Sequence, residues 1–182
     1  MLALSLTVAS PAAAQDAATL WAALAAGGHV ALIRHANAPP GYGEPSGFKI
    51  DDCKTQRNLD DVGRAEARAL GEAFRQHAVR VDEIRSSPWC RCLETAELMR
   101  LGAVQRSWTI APITERNPER LPPLREMIAK WSGPGTLVLV THGFTIRALI
   151  GSVPEQAQTV VLKPTPGSGW GAQVLEIGRA HV

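Results

Sequence analysis

Nothing after the first few residues of this 182-residue chain approaches the roughly 20 consecutive apolar residues that a membrane-crossing helix needs. A strong charge imbalance is also missing. The formal net charge is +2 and the cations are scattered, so there is no basic face of the kind that binds nucleic acid. Cysteine is scarce. Cys53, Cys90 and Cys92 are too few for a disulfide framework, and Cys-x-Cys without a second pair is not a zinc-site spacing. No cysteine has an arginine six positions on, which excludes a thiol-phosphatase loop, and there is no P-loop. Gly167-Ser168-Gly169-Trp170-Gly171-Ala172 mimics a dinucleotide fingerprint but precedes a predicted strand instead of opening a helix.

What is present fits one globular domain. At 45% hydrophobic and 20% charged residues the composition is that of an ordinary folded protein, which excludes a disordered or collagen-like chain. Arginine far outnumbers lysine, and several arginines sit beside the motifs below, where an anionic substrate would want them. Residues 1–14 read as a leader. The apolar run 2–9 is followed by Ser10-Pro11-Ala12-Ala13-Ala14, and small residues at Ala12 and Ala14 suit cleavage before Gln15. The expected location is therefore exported, periplasmic or extracellular. The missing basic residue before the run leaves two alternatives: a start further upstream, or an apolar N-terminal helix in a cytoplasmic protein. In an exported protein one cysteine pair would be oxidised, Cys53 with Cys90 or with Cys92.

Residues 15–182 are expected to form one domain. Residues 16–26 read as a helix stopped by Gly27-Gly28. The β-branched run 29–33 reads as a buried strand ending on Arg34-His35. Residues 38–54 form a long Pro- and Gly-rich loop, of a length that is usually functional in a compact domain. Asp60 and Asp61 cap a helix to residue 78, and residues 81–85 are a strand. Ser87 at the cap and Pro88 at the first helical position open a helix to residue 101. Residues 109–113 are a strand candidate, and Pro122-Pro123 starts a helix to Trp131. The strongest strand, 136–140, runs into Thr141-His142-Gly143 and a helix to residue 150. Residues 159–162 and 172–177 complete the strands. Strands alternating with helices predict an α/β fold, a three-layer sandwich with a mainly parallel central sheet flanked by helices.

In such sheets ligands bind beyond the carboxyl ends of the strands, where His35 and His142 both fall. Arg34 stands beside the first. Arg91 lies in the first turn of the helix after Ser86-Ser87, and His142 also precedes a helix N-terminus, which attracts anions. Three such places on one sheet edge point to an anion pocket.

These residues carry a resemblance. Arg34-His35-Ala36 resembles the Arg-His-Gly signature of the histidine phosphatase superfamily, also called phosphoglycerate mutase-like. Ser86-Ser87-Pro88-Trp89-Cys90-Arg91 through Thr95-Ala96 is similar to its Ser-Ser-x-x-x-Arg-x-x-x-Thr-Ala segment. Residues 140–147 resemble its second histidine motif, and Leu59-Asp60-Asp61-Val62-Gly63-Arg64-Ala65-Glu66-Ala67 resembles its helix start. Ala36 in place of glycine and Phe144 in place of a small residue depart from the pattern without removing a functional group.

The resemblance implies a phosphomonoesterase, acid phosphatase-like, in which His35 takes the phosphoryl group and water regenerates it. Arg34 and Arg91 would hold the equatorial oxygens, a task suited to permanently charged planar forks. His142 would donate a hydrogen bond, cationic with phosphate bound. Gly143 and Asn37 are assigned to substrate contact. Thr114-Glu115-Arg116-Asn117 looks like the stretch carrying the family's acid, so Glu115 is the expected proton donor, with Asp51 and Asp52 as competitors. No metal or other cofactor is expected, and the partner is a small phosphorylated molecule or inorganic phosphate. The alternatives are a phosphomutase of the same superfamily and a non-catalytic phosphate-binding protein.

Overall fold

The computed structural model describes residues 11–41 and 43–179. Its elements are α1 (Pro11–Ala26), β1 (Val30–Arg34), α2 (Asp61–Gln76), β2 (Val81–Ser86), α3 (Cys90–Met99), β3 (Val104–Arg106), α4 (Leu121–Ala129), β4 (Thr136–Thr141), α5 (Gly143–Ile150), β5 (Gln158–Pro164) and β6 (Ala172–Arg179). The sheet runs β3-β2-β4-β1-β5-β6. Pairings among β1, β2, β3 and β4 are parallel, and β5 and β6 extend the sheet antiparallel. The expected sandwich is therefore present, with its parallel part at the centre.

Two-residue alternation in the central strands builds a core on each face. Ala31 and Ile33 of β1 and Val138 and Val140 of β4 face α1, α2 and α3, meeting Leu24, Phe74 and Met99. Val30, Leu32, Leu137 and Leu139 face α4 and α5, meeting Leu124, Ile128 and Ile146. Burial on both sides explains why β1 and β4 read as unbroken apolar runs. Among the described residues no helix is long and apolar enough to cross a membrane.

Four details differ from the sequence reading. Helix α1 runs from Pro11, five residues before its expected start at residue 16; the leader expected over residues 1–14 lies mostly outside the described part. Ser87 does not cap α3. Its N–H bonds to Val140 O at 2.9 Å, which keeps its backbone on the sheet, and the helix starts only at Cys90 after Trp89. Residues 109–113 are not a strand. Ile110 and Ile113 are held by the side chains of Thr141 and Thr145 instead of by a ladder, and the edge strand lies earlier, at Val104–Arg106. Helix α2 ends at Gln76, with His77 stacked on Trp21 at 4.4 Å.

The helix start at residues 59–67 clamps the segment after β1. Asp60 caps α2 by accepting from Gly63 N at 2.8 Å, and its N–H donates to Asn37 O. Glu66 accepts from Asn37 N, and Thr95 of α3 accepts from Ala36 N. Gly63 is required by closeness, since a Cβ there would lie 2.0 Å from Asn37 O. Gly63→Ala should therefore destabilise the protein by about 1–3 kcal/mol, as overpacking against backbone does. An unchanged urea midpoint would show that this clamp is loose.

Candidate functional site

Three parallel strands deliver their carboxyl ends side by side. Arg34 of β1 pairs with Thr141 of β4, and Ser86 of β2 pairs with Val140. The next residue of each strand carries the chemistry: His35, His142 and Ser87. His35 N donates to Thr141 O at 2.9 Å, so the ladder runs on into the site.

The His35 side chain is 3% exposed, and its Nδ1 lies 2.9 Å from Ala36 O. A carbonyl can only accept, so Nδ1 carries the proton and Nε2 keeps its lone pair. Burial pushes the imidazole pKa down to about 3, with the charges of Arg91, Arg34 and Arg57 acting in the same direction. His142 is also buried, its ring 5.6 Å from that of His35. Arg91 Nη2 donates to its Nδ1 at 3.2 Å, which leaves the proton on Nε2, 2.8 Å from Ser87 Oγ. Burial first, then the charge of Arg91, holds this imidazole neutral, well below its ordinary pKa. The ring is neutral in this arrangement and steadies Arg91.

The arginines converge on the two histidines. Arg34 donates to Pro154 O at 2.7 Å, Arg57 to Pro39 O at 2.9 Å, and Arg91 to Glu44 Oε1 at 2.5 Å. Burial and mutual repulsion lower the pKa of Arg34 and of Arg57. The Nε–H of Arg34, Arg57 and Arg91 is in each case buried with no acceptor among the described residues. Three desolvated guanidinium donors beside two neutral imidazoles form a receptor for one multivalent anion, because each unpaired donor is costly until an acceptor arrives. Gly143 makes room for it: a Cβ there would lie 3.3 Å from Arg34 Nε and 2.9 Å from Val153 Cγ1.

A family model described as the histidine phosphatase superfamily (branch 1) matches residues 30–118. Over those residues the chain is similar to the histidine phosphatase superfamily. The matched span holds Arg34, His35 and Arg91, whereas His142 lies beyond it and joins the group through the β4 register. No curated protein sequence matches the chain. Solved structures share the fold of this chain. A putative alpha-ribazole-5'-P phosphatase from Escherichia coli is 16% identical with a TM-score of 0.63, over 84% of this chain and 97% of that one. The mycobacterial glucosyl-3-phosphoglycerate phosphatase complexed with VO3 is 16% identical with a TM-score of 0.58, over 83% and 98%. The protein histidine phosphatase SixA complexed with tungstate is 15% identical with a TM-score of 0.56, over 84% and 97%.

The other residues named from the sequence fall in three places. Glu115 is exposed and lines a cavity of about 830 Å³ with Gly43, Arg116, Leu121, Phe144 and Arg147. Of its lining residues, Gly43 and Phe144 neighbour Glu44 and Gly143 in the chain, and none of Arg34, His35, Arg57, Arg91 and His142 lines it. Asn37 donates its amide to Asp60 Oδ2 at 2.7 Å, so it serves the α2 clamp. Asp52 caps a short 3₁₀ turn by accepting from Lys54 N, and Asp51 is exposed. Among the described residues no group of three or more His, Cys, Asp or Glu side chains could hold a metal ion.

The structure adds members that the sequence reading did not select. They are Arg57 and Glu44. Both reach Arg91 across 34 or more residues of chain, from a loop with no periodicity to betray an inward side. The loop is tied down by a disulfide between Cys53 and Cys90, and by Gln56, whose side chain accepts from Cys90 N. Closing 37 residues is worth about 4 kcal/mol in the chain-entropy account. Cys92 is the third, buried thiol, with its pKa pushed up to about 12 by burial, which excludes a thiolate nucleophile at neutral pH.

The pKa of His35 has a direct consequence. Its folded value lies below the unfolded 6.5, so the folded state binds fewer protons between about pH 3 and 6.5, and stability falls as pH drops through that window. Imidazole ¹⁵N spectra should show His35 neutral, with Nδ1 protonated, at pH 5. A His35 that titrates near 6.5 would contradict the buried, arginine-flanked ring.

Proposed function

We propose that this protein is an acid phosphatase-like phosphomonoesterase that works through a phosphohistidine on His35. The observation that carries this reading is a buried neutral imidazole, with Nε2 left as the lone-pair nitrogen, inside a triangle of arginines. The phosphatases among the structures that share the fold agree with it.

The chemistry follows from the groups. The lone pair of His35 Nε2 forms an N–P bond as the ester P–O bond breaks, and the electron pair leaves on the ester oxygen. Arg34, Arg57 and Arg91 stabilise the equatorial oxygens, where permanently charged, pre-placed donors need no reorganisation. His142 stays neutral: its Nε2–H turns from Ser87 Oγ to donate to a phosphoryl oxygen, while its Nδ1 keeps Arg91 Nη2 in place. Glu115 protonates the departing oxygen, and its carboxylate then accepts a proton from water. That water attacks phosphorus, the N–P bond breaks, and its pair returns to Nε2. The Cys53–Cys90 disulfide supports an exported protein, since such bonds persist in oxidising compartments.

Substitution at Glu115 tests the proton donor and the reaction together. Glu115→Gln should lose about 10²-fold in kcat/KM on an alkyl phosphate and much less on nitrophenyl phosphate, whose leaving group needs no proton. Equal losses on both esters would make Glu115 a binding residue. No hydrolysis of either ester by wild type would support a phosphate-binding protein, and transfer to a second alcohol in place of water would support a mutase.

A further inference from the structure

Hydrolysis does not require the acidic side chain that sits on Arg91. Glu44 is 14% exposed, its Oε1 sits on Arg91 Nη1 and its Oε2 accepts from Arg57 N at 3.1 Å. Around it stand Arg34, Arg57 and Arg91, whose charges repel one another at short range. Arg91 has few donors to spare: Nη2 is on His142, Nε is buried without a partner, and Nη1 also makes a 3.4 Å contact with Arg57 O.

We propose that Glu44 is an internal stand-in for the phosphoryl group, a carboxylate that holds Arg91 until a phosphate monoester dianion displaces it. The inference rests on the anion-receptor reading of the cluster. A planar guanidinium binds two oxygens of one phosphoryl group only if Nη1 or Nη2 is released along with Nε. Nη2 is held by His142 deep in the site, so Nη1 is the one that can be exchanged. A carboxylate and a phosphate dianion cannot share that nitrogen without strong repulsion. Glu44 has somewhere to go. It lies between Gly41 (φ 152°), Gly43 (φ 73°) and Gly47 (φ 81°), in an exposed stretch, whereas the later part of the same loop is fastened at Gln56 and by the disulfide.

Two functional consequences follow. The stand-in offsets the positive field of the empty receptor, so the arginines stay gathered before substrate arrives. It also sets a threshold for binding. A dianionic monoester has the charge to displace a carboxylate, and a monoanionic diester has less, so Glu44 favours monoesters and speeds the loss of product phosphate.

The test is calorimetric titration of inorganic phosphate into wild type, Glu44→Gln and Glu44→Asp at fixed pH and salt, with melting temperatures measured in parallel. Binding needs no turnover, so the outcome is independent of the catalytic assignment. Glu44→Gln should bind phosphate at least about tenfold more tightly, because an anion in contact with the binding arginine is gone. It should melt lower than wild type without phosphate and gain more from saturating phosphate. Glu44→Asp, one methylene too short to reach Arg91 from the same backbone, should move the same way, and it serves if the Gln variant does not fold. Unchanged or weaker phosphate binding in a folded variant would overturn the stand-in role. If wild type binds no phosphate at millimolar concentration, the receptor itself is wrong and the role of Glu44 fails with it.

Discussion

Bringing Arg34, Arg57 and Arg91 to one edge, Arg91 buried and the other two half-buried, sets like charges against one another where water screens them only in part. Much of the surrounding structure can be understood as the means of holding them there. Pro154 O, Pro39 O and Glu44 each take one guanidinium, and His35 and His142 are kept neutral so that they add no further charge. The arginines' three Nε–H groups have no acceptor among the described residues, which leaves the assembled site primed for an anion. A multivalent anion relieves repulsion and satisfies donors in one step, so binding energy is available where phosphoryl transfer needs it.

The same constraint explains the tight backbone packing around the site. The chain after β1 cannot move away from α2 and α3, because Asp60, Glu66 and Thr95 hold Asn37 and Ala36 by their backbone groups. Gly63 and Gly143 keep side-chain atoms out of two points where backbone or guanidinium must pass. The disulfide fastens the loop that carries Arg57 to the residue before Arg91. The nucleophile's position is thus set by ladders, caps and one covalent bond, and little is left to the loop itself.

What the sequence made legible was local or repetitive. The apolar runs at residues 29–33 and 136–140 gave the central strands, and their ends gave His35 and His142. The capping aspartate and 3.6-residue pattern gave α2. The rest depended on distant partners. Ser87 reads as a helix cap until Val140 takes its N–H, which turns its hydroxyl to His142. Residues 109–113 have strand-like side chains, but two threonine hydroxyls hold them where no ladder partner is in reach. Glu44 and Arg57 lie in a loop without periodicity, and only the folded chain brings them to Arg91. The sequence left open whether Cys53 pairs with Cys90 or Cys92, and burial of Cys92 behind His142 accounts for the pairing with Cys90.

The account turns on one atom, Nε2 of His35. The most direct measurement is to mix enzyme with substrate, quench in base within milliseconds, and locate the covalent phosphate by peptide mass spectrometry and ³¹P NMR. The account predicts acid-labile phosphate on His35, attached at Nε2 because Nδ1 is committed to the Ala36 carbonyl. Continued hydrolysis with no phosphate on His35, or phosphate attached at Nδ1, would contradict it.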